Sequence, residues 1–461
     1  MPAFKYRHVA LWVTLVVVTG LTPLMPAHWL GNWHDFARVM ECWTFVLSVP
    51  VFSKFLVDGG QAVRRLVCAS LCWALLLCAR APVAAMALRE VLTLFGLLML
   101  VLAVGAAWRL VDYRWILARG LSGAAGAYAA VALTIVLAAK MSDVPLDNGS
   151  IFFGYDNPRF LNHAQVVFIP LLAGISLSTL VSQRWRLLVR ATLAIQFALL
   201  YFSVGRSAGL ALSISAVAAL AFGRMGRRLA IEITGCAAVG AMVYLALFGT
   251  SLSAGDHVVD TLHASADLTS DHSRLYLWRI AVEDVRSAPV LGIGPMHFAH
   301  YLNRSGAHPH NFCLQVMAEF GLPFALIVLG ALATALVRRL RRMHKEIAGA
   351  EHIELAAVMA CVAIVCDGIS SGNFVMPISQ MWIAIAAGIA SAGSPSKQFV
   401  SQAVWPRAFF TGVLFAIYVA FAMNTTWVWS ERRVVAAFAG EQVGMADHAP
   451  LRPRFWLDGW F

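Results

Sequence analysis

Apolar runs of membrane-crossing length recur along almost the whole chain, divided by short polar segments. A bilayer core needs about 20 apolar residues per helix. Candidate runs lie at roughly 9–26, 36–57, 66–80, 91–108, 116–139, 164–181, 187–203, 207–222, 229–250, 312–337, 354–371, 375–392 and 408–428. Several are short, so twelve crossings is an alternative to thirteen, and the side of the C-terminal tail stays open. The pattern predicts an all-α fold: a polytopic transmembrane helical bundle of about 12–13 spans forming a single integral membrane domain over residues 1–461. The first run follows Lys5 and Arg7 with no small-residue cleavage site, and reads as a retained helix.

Two polar stretches interrupt this rhythm, Lys140 to His163 and the longer 251–311. Loops of that size in a compact protein are usually functional or disordered. The longer one has helical character. From Ser273 to Ser287, Leu275, Trp278, Ala281, Val282 and Val285 fall on one predicted helical face, with Ser273 as N-cap. Pro289 ends that helix, Gly292-Ile293-Gly294-Pro295 predicts a sharp bend, and Met296–Asn303 a further short helix. Both helices are expected to lie against the membrane surface and roof a cavity.

Composition agrees with a membrane bundle and removes alternatives. Hydrophobic residues make up 60% of the chain and charged ones 13%, with mean hydropathy +0.73; soluble domains carry nearer a quarter charged residues. The net charge of +11 could suggest nucleic acid. However, the basic residues sit in short clusters between apolar runs, such as Arg64-Arg65 and Arg338-Arg339-Leu340-Arg341-Arg342. That is a topology signal, so no nucleic-acid partner is expected. With the N-terminus in the cytoplasm, strict alternation puts most of the 35 basic residues but few of the 24 acidic ones on the inner side. The eight cysteines lie in or beside apolar runs without paired spacing and read as small hydrophobes.

Under that topology three features with possible chemistry face outward. Arg206 sits between two apolar runs with almost no loop, as either a snorkelling anchor or an anion ligand. Its five guanidinium donors suit phosphate oxygens. Arg274 opens the predicted amphipathic helix, where it is either part of an anion site or a partner for Asp271. His308-Pro309-His310-Asn311 precedes the next run. With Asn311 as N-cap, His310 would sit at the positive end of the helix dipole, a neutral imidazole able to accept a proton. Arg159 could add a cation, and Asp367 and Glu319 are acids inside membrane helices. Glu319 could equally pair with a neighbouring helix. The loop also holds His257, His263, His272, His297, His300, Asp256, Asp260, Asp267 and Asp271, without a metal-ligand spacing such as HExxH. No phosphate-binding loop, dinucleotide fingerprint or nucleophile elbow is present.

The stretch Pro289-Val290-Leu291-Gly292-Ile293-Gly294-Pro295, then His308-Pro309-His310-Asn311, then Glu319-Phe320-Gly321-Leu322-Pro323, resembles the signature of the O-antigen ligase/polymerase membrane family. Ser273-Arg274-Leu275-Tyr276-Leu277-Trp278 and Gly205-Arg206-Ser207 resemble its two recurrent arginine positions. The resemblance implies transfer of a glycan from undecaprenyl diphosphate, in the outer leaflet of the bacterial inner membrane, to a sugar hydroxyl of lipid A–core. It implies an inverting reaction at the periplasmic face that needs neither metal, cofactor nor ATP. In this reading Arg206 and Arg274 clamp the diphosphate and His310 is the general base; Arg159, Asn311 and Asp367 are expected from their own sequence settings, not from the resemblance, to help bind substrate. O-antigen polymerases and protein O-oligosaccharyltransferases of the same family share this chemistry. A lipid-linked glycan transporter is the alternative of a different class. It would place polar groups near the bilayer midplane in related halves, whereas here they gather at the outer boundary.

Overall fold

The computed structural model describes residues 2–25, 32–58, 61–110, 113–144, 146, 148–248, 269–300, 306–347, 351–392, 405–442 and 454–457. Part of the long outer loop, with His257, His263, Asp256, Asp260 and Asp267, lies outside the described residues, as do 301–305. Side chains 271–273 are also outside them, and so is the expected Asp271 partner of Arg274.

The chain is an all-α bundle. Its helices are α1 (Pro2–Val16, running on through Leu24), α2 (Trp33–Asp58), α3 (Gln61–Arg80), α4 (Ala84–Trp108), α5 (Arg114–Met141), α6 (Pro158–Leu177) and α7 (Gln183–Phe202). Then come α8 (Arg206–Ala219), α9 (Gly223–Phe248), α10 (Thr269–Ser287), α11 (Phe312–Phe320), α12 (Leu322–Glu346), α13 (His352–Gly368), α14 (Pro377–Ser391) and α15 (Trp405–Gln442). Among the described residues, seven helical stretches are long and apolar enough to cross a membrane, and shorter apolar helices lie at His8–Leu24, Cys68–Arg80 and Pro377–Ser391. The eight cysteines are free thiols.

Helix α6 is the centre of the bundle. Asn157 caps it, its Oδ1 accepting the amide N–H of Arg159 at 2.9 Å, and Pro158 follows at the first helical position, where its missing N–H is harmless. Leu161 through Ser176 are all buried, because α6 packs against α13, α7 and α14. Close helix approach depends on small residues: a Cβ on Gly174 would stand 2.5 Å from the Ala356 methyl of α13. By contrast α12 buries little of its apolar length and presents Leu326, Ile327 and Leu332 outward. An outward apolar face in a membrane bundle meets lipid.

Polar contacts gather at the two ends. At one end Glu354 accepts from the Trp108 indole at 3.1 Å and pairs with Arg114 at 3.4 Å, and Glu232 pairs with Arg190 at 2.6 Å. These groups stand near helix ends that the charge pattern assigns to the cytoplasm. The opposite end carries Arg206, Asp367 and His310. Residues 454–457, beyond α15, pack at this end too, since Leu457 donates its N–H to Asp35 Oδ1 at 2.7 Å.

Four local expectations are corrected. The run 312–337 is two helices broken at Gly321, which has φ +82°, with Pro323 early in α12. Helix α10 begins at Thr269, a turn before Ser273, so Ser273 is not its N-cap and Arg274 lies in its second turn. The packed stripe of α10 is Leu277, Ile280, Ala281 and Val285, set against Phe298, Ala318, Ile293 and Leu314, while Leu275 and Val282 are exposed. In the segment 296–303, the described helix is a single 3-10 turn at His297–Ala299, entered through Met296 at φ +68°.

Candidate active site

The glycine bend and the helix break interlock. Helix α11 ends with carbonyls that its own turn cannot satisfy. Ala318 O accepts from Ile293 N at 2.8 Å and Glu319 O from Gly294 N at 3.1 Å, while Leu322 N donates to Pro289 O at 2.8 Å. Gly292 (φ +67°) lies so close that a Cβ would stand 2.5 Å from the Glu319 carbonyl, and a Cβ on Gly321 would stand 2.1 Å from Val290 O. Both glycines are thus required by backbone sign and by space. This fixes α11, and with it the four residues that precede it.

His310 stands immediately before the α11 N-cap. Asn311 Oδ1 accepts the Leu314 N–H at 3.0 Å, so the expected cap is present. His310 itself has φ +51°, a left-handed backbone uncommon outside glycine. It is held by its neighbours. The Trp278 indole of α10 donates to Pro309 O at 3.0 Å, and His310 N donates to His308 Nδ1 at 3.2 Å. The two imidazoles stand 4.1 Å apart between centroids, and His308 packs on Gly372, where a Cβ would lie 2.6 Å from its Cε1. Burial, followed by the charges of His163, Arg274 and Arg159, pushes His310 down to about 3. Burial holds His308 well below its ordinary value too. Both rings are neutral at cellular pH.

Three guanidiniums converge from separate elements. Arg206 is the first residue of α8 and is exposed; Arg274 is half-buried on α10; Arg159 lies in the first turn of α6. Arg159 is within electrostatic reach of both others, and His310 within reach of Arg159 and Arg274. Among the described residues, none of the three pairs with a carboxylate. The turn before α8 is also strained, with Val204 at φ +48°. Gly205 lies against Asn162, whose Nδ2 a Cβ would approach to 2.7 Å, and Ser203 donates to Asn162 Oδ1 at 2.8 Å.

Asp367 is buried at 1% exposure beneath these groups. Its Oδ1 accepts from Ser207 at 2.7 Å, and its Oδ2 accepts from Ser371 and faces His163 Nδ1 at 3.7 Å. Ser207 is the residue after Arg206, so Asp367 holds the start of α8 to α13 and α6. Asp156, in the loop before α6, accepts from His34 N at 2.8 Å, and burial pushes its carboxyl up to about 6.

Sequence reasoning missed a second polar cluster. Arg454, beyond the last helix, is fully buried and donates to Glu319 at 2.6 Å and to Glu90 at 3.0 Å. Glu319 is therefore paired, though with the segment beyond α15 rather than with a neighbouring helix. Glu90, an acid within the apolar run of α4, carried a visible signal. Arg38 and Glu41, an i,i+3 pair on α2 at 2.6 Å, carried one as well. Arg454 carried none.

A comparison with protein families matches residues 191–329 to the family described as O-antigen ligase. No curated protein matches the chain. The matched segment contains Arg206, Arg274, the Gly292–Gly321 interlock and His310. Residues 191–329 of this chain are thus similar to the O-antigen ligase family, and Arg159, His163 and Asp367 stand beside the matched residues from outside that segment.

Proposed function

We propose that this chain is an O-antigen ligase, transferring a glycan from undecaprenyl diphosphate to a sugar hydroxyl of lipid A–core at the periplasmic face of the bacterial inner membrane. The observation that carries this reading is that Arg159 lies within electrostatic reach of both Arg206 and Arg274, and His310 within reach of Arg159 and Arg274. Three cations with no carboxylate partner among the described residues repel one another, and an anion between them removes the repulsion. A diphosphate held at the lipid–water boundary is such an anion.

In this mechanism the acceptor hydroxyl oxygen attacks the anomeric carbon from the face opposite the diphosphate. The bond from that carbon to the diphosphate oxygen breaks, and configuration inverts. His310 takes the hydroxyl proton. The arginines hold the charge that builds on the departing diphosphate, whose phosphate ester chemistry supplies the driving force without ATP or metal. Arg159 and Arg274 have a second effect. While uncompensated they depress His310; when the diphosphate neutralises them, the imidazole regains basicity, so donor binding readies the base. Asn311, with Oδ1 committed to the cap, offers its amide N–H groups to the glycan. Asp367 is too buried to touch substrate and acts by placing Arg206 and His163.

Polymerase and protein-glycosylating relatives would use the same chemistry on another acceptor. Deletion of the gene followed by lipopolysaccharide electrophoresis separates them. Loss of a ligase leaves bare core while carrier-linked polymer accumulates. Core bearing a single repeat would indicate a polymerase, and unchanged lipopolysaccharide would remove both.

A further inference from the structure

The reaction proposed above needs the His308–Asn311 peptide held still, and the groups that hold it include a segment from the far end of the chain. Residues 454–457 are wedged between the start of α2, α4, α11 and the loop that leads to His308. Arg38 donates to Phe455 O and to Arg454 O, each at 3.2 Å, and its guanidinium lies 5.3 Å from the Phe455 ring centroid. Asp35 accepts from Leu457 N. The segment is therefore anchored by α2, at main-chain atoms and through an aromatic ring.

From that anchor the Arg454 side chain reaches into the site. One Nη donates to Glu90 of α4 and to Glu319 of α11, the other to Ala307 O at 3.4 Å, directly before His308. Gln315, one turn into α11, faces the same fork, and rotating its amide by half a turn lets its oxygen accept from both Nη atoms, at 2.8 and 3.1 Å. Glu319 in turn accepts from Phe298 N at 3.2 Å, in the 3-10 turn that packs on α10. One planar fork thus grips the residue before His308, two residues of the helix after His310, and, through Glu319, the floor under α10.

We propose that Arg454 is a positioning residue for the active site, and that the C-terminal segment 454–457 is an integral wall of it. Arg454 touches no reacting atom; it acts through Ala307, Gln315 and Glu319 on the placement of the His310 imidazole. Lysine cannot replace it, because one ammonium presents no planar fork to four acceptors at once.

The test uses the full-length chain in lipid nanodiscs, comparing wild type, Arg454→Met, Arg454→Lys and the double variant Arg454→Met/Glu319→Gln. Hydrogen exchange reads loop order, and carrier-linked glycan transfer reads rate per folded molecule. We expect Arg454→Met to raise exchange across residues 306–319 while leaving 206–219 unchanged. It should lower kcat at least about tenfold with the donor KM within about twofold, because a displaced base slows chemistry without loosening the diphosphate. Arg454→Lys should fall between. The double variant should regain part of the thermal stability lost by Arg454→Met, since it removes the buried Glu319 charge and leaves only Glu90 without its partner, but not kcat.

The proposal is overturned if Arg454→Met leaves exchange in 306–319 unchanged, or if the double variant regains kcat together with stability, which is the mark of a purely structural ion pair. Should Arg454→Met yield no folded protein, Arg454→Lys decides by the same readouts, and wild-type behaviour overturns the idea. If the wild-type chain transfers no glycan, the reading of the function fails, while the exchange data still decide the role of Arg454.

Discussion

The Trp278 indole donates its N–H to the Pro309 carbonyl at 3.0 Å. That single bond joins the amphipathic helix α10, which carries Arg274 four residues earlier, to the peptide that presents His310 in a left-handed backbone. The arginine proposed to hold the leaving group and the histidine proposed to take the proton are thereby set at a fixed separation. Trp278→Phe keeps most of the apolar area and removes the donor, leaving a partly buried carbonyl unpaired. A lost bond of this kind is worth about 1 kcal/mol, so kcat should fall roughly five- to tenfold. Steady-state kinetics of the purified variant check this, and an unchanged kcat would show that the loop is held by other contacts.

Acid should inhibit the reaction through His310. A general base works deprotonated, so the rate is lost as pH falls through its pKa. The group is pushed down to about 3 by burial and its positive neighbours. Donor charge cancels part of that effect, so the bound complex should have a higher pKa than the free enzyme. The acid limb of kcat should therefore lie at higher pH than that of kcat/KM. Arg159→Ala removes one cation and should move the kcat/KM limb upward while raising the donor KM. Coincident limbs in wild type would count against coupling between donor and base.

Asp367→Asn keeps the volume but puts an amide where hydroxyls of Ser207 and Ser371 donate. Hydrogen bonds to a charged group are worth about 1.5–3 kcal/mol. We expect a loss of roughly 10- to 100-fold in kcat/KM, borne mainly by the donor KM, since Ser207 neighbours Arg206. Donor titration of the variant measures it; a pure kcat effect would instead place Asp367 in proton handling with His163.

Gly292→Ala tests the interlock without touching a charged group. The added Cβ would meet the Glu319 backbone at 2.5 Å in a left-handed conformation. Strain of this kind costs about 1–3 kcal/mol, and thermal unfolding in detergent should fall accordingly. A wild-type melting temperature would mean that the bend can relax.

The bundle was largely legible because apolar run length has one dominant cause, the thickness of a hydrocarbon layer. The Asn311 cap and the place of Arg206 at a helix start were legible for a local reason: an Arg in a turn between two apolar runs, and a cap residue before a helix, announce themselves within a few positions. The break at Gly321 was not, since an apolar pattern runs straight through it; what stops the helix is the bend 289–294 donating to its last carbonyls. The face of α10 differs from the expectation because Leu277, Ile280, Ala281 and Val285 are the residues that meet Phe298 and Ala318, which leaves Leu275 and Val282 exposed. Arg454 was invisible for the plainest reason, as it pairs with Glu90 across 364 positions of chain. No pattern within a window records such a meeting.

His310, Arg159, Arg206 and Arg274 are proposed to form one transfer site. That site is tested most directly by mixing purified chain with undecaprenyl-diphosphate-linked glycan and lipid A–core, with chelator present and ATP absent. Wild type should yield glycosylated lipid A–core, and His310→Ala, Arg206→Ala and Arg274→Ala should each lose the product by two orders of magnitude or more, roughly the contribution of a general base or a charge clamp. Product formation that survives His310→Ala at the wild-type rate would contradict the account.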